Sequence, residues 1–315
     1  MTEDPRDLER RIAEQFSGRR ERSDVWRGFD AFLDTDAFLN LGYSPRYSSH
    51  LLGSPQDRLA ARVLEELSRA RSAVAGTERD LALAGTDRAP ASPGARLLDV
   101  GCGRGGPTRR IAAASEYDVV GIDLVRHNVA MARREMGTSQ RGGSDGSAPA
   151  FLVGDATQLP FADRSFAACV AIDSLVYVPA VSEAFAEIAR VLAEGGVGAV
   201  SDLVVDPDAD ASDGTLGRFA RAWDMPRLRR RDEYRSAIDA TRLRTCGTID
   251  LTDNSVGRFR KWSRLYLALA EGPAGGALAA GLRRGGLDPE VVTEQVRAAH
   301  EALPALRHVL VTFER

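Results

Sequence analysis

Leu97-Leu98-Asp99-Val100-Gly101-Cys102-Gly103-Arg104-Gly105-Gly106 decides the fold. An apolar run suited to a buried strand enters a turn dominated by glycine, and Pro107 follows where a helix can begin. Glycine reaches backbone conformations that other residues avoid and leaves space where a Cβ would block a ligand. Such a unit seats its ligand at the carboxyl end of the strand, beside the positive end of a helix.

The flanks repeat the theme. Apolar runs at Arg96–Val100, Val119–Asp123, Phe151–Gly154, Ala168–Asp173 and Val197–Val205 read as buried strands, with helical patterns at Val125–Met136 and Val181–Leu192 between them. Alternation of this kind predicts an α/β, Rossmann-like, mostly parallel sheet with helices on both faces. Beyond Pro207 the pattern is mostly helical, over Arg230–Thr241, Val256–Ala270 and Pro289–Ala302, with strands expected at Cys246–Leu251 and His308–Phe313. Before the core, Leu59, Val63 and Leu67 recur at helical spacing after Pro55. Ala84–Gly94 reads as a linker and Gly137–Pro149 as a surface insertion. The chain thus divides into an N-terminal helical cap and linker (1–94), a nucleotide-binding core (95–206) and a helical substrate-side element with the last strands of the same domain (207–315).

Composition narrows the partners. The 315 residues carry 42 Lys and Arg against 45 Asp and Glu, a net charge of −3 that gives no field to gather nucleic acid. Cys102, Cys169 and Cys246 are too scattered for a disulfide framework or a zinc site, so no metal is expected. Met1–Arg22 is densely charged and unlike a signal peptide, and no run reaches the roughly 18 apolar residues of a membrane span, so a cytoplasmic protein is expected.

The glycines leave the ligand open. Gly101, Gly103 and Gly105 give GxGxG, while Gly101, Gly103 and Gly106 give the dinucleotide pattern GxGxxG. Asp123, at the end of the second strand, suits the ribose hydroxyls of either ligand, so to this point the chain binds an adenosine-containing molecule. Three features favour a ligand with a cationic amino-acid tail over a dinucleotide. Asp99 offers a carboxylate two residues before the first glycine, to a ligand amine or a loop amide. Asp155, in Gly154-Asp155-Ala156, can accept the adenine amine, with the Ala156 N–H on the ring. Asp173-Ser174-Leu175 ends the fourth strand at the same crevice.

Together the runs LLDVGCGRGG, VVGIDL, GDATQLPF, AIDSLVYVP and EIARVLAEGG, between Arg96 and Leu203, closely resemble the class I S-adenosylmethionine-dependent methyltransferases. The resemblance implies a seven-stranded sheet with an antiparallel last strand and S-adenosyl-L-methionine as cofactor. It places Asp99, Gly101, Gly103 and Gly105 at the methionine portion, Asp123 with Leu124 at the ribose, Asp155 and Ala156 at the adenine, and Asp173 at the methionine end. A looser resemblance, carried by Phe38–Tyr43, Gln56–Leu59 and Asp250-Leu251-Thr252, points to the branch that methylates sterols, tocopherols and sarcosine-type amines. It implies that Tyr43 closes over the methyl donor.

Methyl transfer from a sulfonium is an in-line displacement in which the protein chiefly aligns and dries the reactants. A base helps when the acceptor must lose a proton. Relatives often carry a histidine after the fourth strand; Tyr177 stands there, and with Tyr43 and His50 it forms the set of candidate catalytic residues. Phe259, Trp262 and Tyr266 share a helix face, read as core packing or as a substrate wall. Arg227, Arg229, Arg230 and Arg231 read as a solvated helix start or a site for an acidic substrate. His127 is expected near the ribose or in solvent, and Cys102 in packing. The acceptor expected is a terpenoid, quinone or amine. The rival functions are a non-catalytic S-adenosylmethionine-binding protein and an NAD-dependent oxidoreductase.

Overall fold

In the computed structural model the described residues are 39–44, 54–81, 94–139, 148–209, 214–223 and 225–315. The expected linker over Ala84–Pro93, the centre of the Gly137–Pro149 insertion and the N-terminal stretch before Leu39 lie outside them. Helix α1 (Pro55–Leu81) precedes β1 (Arg96–Val100), α2 (Gly106–Ala114), β2 (Asp118–Asp123), α3 (Arg126–Ser139), β3 (Ala150–Val153) and β4 (Phe166–Ile172). Then come α4 (Val181–Val191), β5 (Leu192–Val205), α5 (Thr215–Ala222), β6 (Arg229–Arg230), α6 (Arg231–Asp239) and β7 (Arg244–Asp250). The chain ends with α7 (Val256–Glu271), α8 (Gly275–Arg284), α9 (Pro289–Ala302) and β8 (Leu306–Glu314).

The sheet runs β3-β2-β1-β4-β5-β8-β7, with the two-residue β6 paired to β5. The seven-stranded ladder is as expected, and β6 makes the count eight rather than seven. That strand is only the extended entry to α6, drawn alongside Val204 and Val205 of β5. Strands β1 to β5 pair in parallel, and β8 runs antiparallel between β5 and β7.

Each central strand is buried on both faces because its side chains alternate between two apolar layers. Leu97, Val119, Ala168 and Val170 pack with Leu59, Val63 and Leu67 of α1 and Ile111 of α2. Leu98, Val120, Cys169 and Ala171 point the other way, onto Phe185 and Ile188 of α4 and Tyr234 and Ile238 of α6. The buried positions of α4 (Val181, Ala184, Phe185, Ile188) fall on one helical stripe, with Glu183 in the first turn and Arg190 in the last, as the helix dipole favours. A third layer forms beyond the carboxyl ends of β4 and β5, where Val176 and Leu203 meet Phe219, Trp223, Met225, Val256 and Leu303. Helices α5, α7 and α9 therefore roof one end of the sheet.

Candidate active site

The carboxyl ends of β1, β2 and β4 border a cleft of about 350 Å³. Of the residues expected to hold a cofactor, Gly101, Gly103, Asp123, Leu124, Asp155, Ala156 and Asp173 line it, as does Tyr177. Gly105 and Asp99 do not. The glycine turn owes its composition mainly to the protein itself. Gly101 has φ 75°, and a Cβ there would lie 2.3 Å from the Ser174 Cβ. The Ser174 hydroxyl, in turn, donates to the Val100 carbonyl at 2.7 Å, tying the loop after β4 to the end of β1.

Asp123 shapes the turn from β2. Its Oδ2 accepts the Gly103 amide at 2.9 Å, and its Oδ1 accepts the Val125 amide at 2.8 Å and the Asn128 side-chain amide at 3.3 Å. Burial raises its pKa and these bonds pull it back; the net direction is upward. Two carboxylate oxygens offer about four acceptor positions, so one remains for a ligand hydroxyl. Half-buried Asp155 spends one oxygen on the Thr157 amide (2.8 Å) in an Asx turn. Asp99 lies beneath the turn, 1% exposed, where it accepts the Thr108 hydroxyl at 2.6 Å. Burial, with the Asp123 charge added, pushes its carboxyl up to about 7 against the Thr108 bond.

Asp173 departs from the simple expectation of a strand-end carboxylate facing ligand. Its Oδ2 accepts the Leu41 amide (2.9 Å), and its Oδ1 accepts the Ser201 hydroxyl (2.8 Å) and lies 2.9 Å from His308 Nε2. Burial alone would raise its pKa; the His308 imidazole and these bonds outweigh it and hold the carboxyl below the usual range.

Beyond Asp173 a small apolar hollow, about 30 Å³, opens between Val176, Leu203, Phe219, Trp223, Met225 and Phe259. It shares Leu39, Asp173 and Tyr177 with the cleft. One further carboxylate lines it. Asp202, 1% exposed on β5, accepts the Tyr234 hydroxyl on Oδ2 at 2.8 Å, while Oδ1 has no hydrogen-bond partner. Burial and the nearby Asp173 charge push its carboxyl well above the ordinary value, against Tyr234, Arg229 and the Val176 amide.

Arg229 is not a solvated helix start. It is 1% exposed and donates to the carbonyls of Leu175, Val178 and Pro179, clamping the turn that carries Tyr177. Arg227 pairs with Glu233 at the surface, and Arg230 opens α6. Tyr43 packs against the layer of Leu59 and Val63 and is not in the cleft lining. His50 lies outside the described residues. His127 is exposed, and Cys102 is buried under Phe151. Phe259, Trp262 and Tyr266 go separate ways: Phe259 enters the hollow, Trp262 is 43% exposed, and Tyr266 bonds Thr293. Among the described residues no group of His, Cys, Asp and Glu could hold a metal. No single described helix is long and apolar enough to cross a membrane. Sequence reasoning missed Ser201, Asp202 and His308. A polar pair inside the apolar run Val197–Val205 was the available signal for the first two.

A parallel sheet, a glycine turn between β1 and α2, acidic groups at successive strand ends and an antiparallel β8 define the class I methyltransferase fold. A family described as "Methyltransferase domain" matches residues 98–200. The O-methyltransferase rstn1 of Aspergillus nomiae is 32% identical over 162 residues, 51% of this chain and 70% of that protein. The 24-methylenesterol C-methyltransferase 2 of Oryza sativa subsp. japonica is 33% identical over 169 residues, 52% of this chain and 46% of that protein. The geranyl diphosphate C-methyltransferase of Streptomyces coelicolor A3(2), solved with Mg2+, geranyl diphosphate and S-adenosyl-L-homocysteine, shares the fold with a TM-score of 0.66 at 17% identity, over 100% of this chain and 99% of that one. The chain belongs to the S-adenosylmethionine-dependent methyltransferases, which use S-adenosylmethionine as methyl donor.

Proposed function

We propose that the cleft holds S-adenosylmethionine and that the hollow receives the accepting end of an apolar small molecule bearing a hydroxyl or an amine. The observation that carries this is their continuity: acidic side chains at three strand ends border the cleft, and Leu39, Asp173 and Tyr177 are common to it and the hollow. The residues fit the donor. Asp123 keeps one acceptor position for a ribose hydroxyl, Asp155 one oxygen for the adenine amine, and Ala156 lines the same cleft. Asp173 and the turn at Gly101 and Gly103 form the methionine end. The donor, when bound, supplies an electrophilic methyl on a sulfonium.

The chain's own work is alignment and exclusion of water. Trp223, Met225, Phe219 and Phe259 favour an apolar acceptor, whether terpenoid, quinone or hydrophobic amine. Asp202 Oδ1 offers the acceptor proton its one buried, unused oxygen, and a carboxylate formed at such a site is a stronger base than one in water. The hollow is too small for more than the accepting group, so the body of the acceptor enters only as Leu39–Leu41 shift. In this reading residues 1–94 cap the site, 95–206 bind the donor and 207–315 face the acceptor.

Two measurements test the reading. Calorimetric titration of the wild-type chain with S-adenosylhomocysteine is expected to show binding, and with NADH none; the reverse result rejects the donor site. A donor-dependent methylation screen across lipid, quinone and amine extracts, read by mass, is expected to yield an apolar product. Methylation confined to highly charged acceptors would reject the hollow as the acceptor site.

A further inference from the structure

Asp173 ends β4 with φ 53°, in the left-handed region that side-chain-bearing residues seldom adopt. A conformation of that kind persists only where the surroundings hold it. Three residues do so here, through four contacts. The Asp173 amide donates to the Ser201 carbonyl at 2.9 Å. Its carboxylate takes the Ser201 hydroxyl, the Leu41 amide and His308 Nε2. The bond to Leu41 spans 132 positions of sequence and anchors a segment whose Leu39 lines both cleft and hollow.

His308 is fully buried on β8. The Ser255 hydroxyl lies 2.8 Å from Nδ1, and the His308 backbone amide donates to Thr252 Oγ1 at 3.0 Å. A carboxylate can only accept, so Nε2 is the protonated nitrogen beside Asp173. Nδ1 meets a hydroxyl that can donate or accept. Ser255 Oγ is also 2.9 Å from the Leu251 carbonyl, so turning one O–H suits the ring with or without a second proton. The contact from Nε2 to Asp173 is kept in both states.

We infer that His308 is a positioning residue: its Nε2–H holds the Asp173 carboxylate in its left-handed seat and so pins the Leu39–Leu41 segment across the junction of cleft and hollow. Without that donor, burial acts on Asp173 with only Ser201 and Leu41 opposing it. The carboxyl is then more readily protonated, becomes a poorer acceptor for the Leu41 amide, and the segment loosens. The effect on cofactor affinity rests on the function proposed above; the pinning of Leu41 does not.

The test uses the unliganded full chain. Hydrogen exchange, corrected for intrinsic rate, is read at Leu41 in the wild type, in His308→Leu (similar bulk, no donor) and in His308→Gln (a donor near the position of Nε2). Exchange at least tenfold faster at pH 7 is expected in His308→Leu. His308→Gln is expected to stay within about threefold of the wild type, a pattern that loss of packing alone would not give. Equal protection in His308→Leu and wild type, or equal loss in both variants, overturns the proposal. Nitrogen-15 spectra of the wild-type ring need no variant: an unprotonated Nε2 also overturns it. Failure of the wild type to bind S-adenosylhomocysteine would instead reject the proposed function and leave these readouts standing.

Discussion

The Thr108 hydroxyl donates to Asp99 Oδ2 across 2.6 Å, while Asp99 Oδ1, equally buried, has no hydrogen-bond partner. The carboxyl beneath the glycine turn is thus half satisfied, and burial places its pKa at about 7. A raised acid binds more protons folded than unfolded, so its contribution to stability is present below about pH 4 and is lost as pH rises through 7. Asp99→Asn removes the titration. At pH 8 the unliganded variant is expected to be more stable than the wild type by about 1 kcal/mol or more, with the gap closing towards pH 4. Urea unfolding of both proteins across that range checks it; a gap independent of pH would contradict the assignment.

Gly101→Ala is expected to cost about 2 kcal/mol or more, because φ 75° penalises a Cβ and the new atom would meet the Ser174 Cβ at 2.3 Å. Adding Ser174→Gly relieves the collision and leaves the backbone term, so the double variant should recover part of the loss. Urea midpoints of the two variants decide the matter.

Asp155→Ala is expected to weaken S-adenosylhomocysteine at least tenfold, about 1.4 kcal/mol, and Asp99→Ala to do the same through the turn it supports. Isothermal titration reads both. Unchanged affinity in both variants would remove the acidic groups from the donor site.

Asp202→Asn keeps the shape of the hollow and the partner for Tyr234 but cannot take a proton. With any acceptor the wild type methylates, kcat is expected to fall at least tenfold while S-adenosylhomocysteine affinity stays within about twofold. An unaltered kcat would leave Asp202 a structural partner of Tyr234.

The sheet was legible because buried strands and amphipathic helices impose periods of two and 3.6 on the chain, and β1 to β5 fall close to the apolar runs. Helix α9 starts at Pro289, behind an Asp288 cap that accepts the Glu290 amide, as its composition suggested. Helix α8 was not resolved as a separate element: Gly275–Arg284 is mostly small residues with no buried stripe to announce it. The cleft residues were readable as well, since Asp123, Asp155 and Asp173 each end an apolar run.

What the sequence determined by itself was therefore the layered α/β core and the strand ends around which a donor site is built, because both depend on short-range pattern. Tertiary structure alone decided that Tyr43 packs into the core, that Arg229 is buried against backbone carbonyls, and that His308 meets Asp173. The last pair stands 135 positions apart in the chain. Such contacts are set by which strand lies beside which, and a lone polar residue in an apolar run does not name its partner.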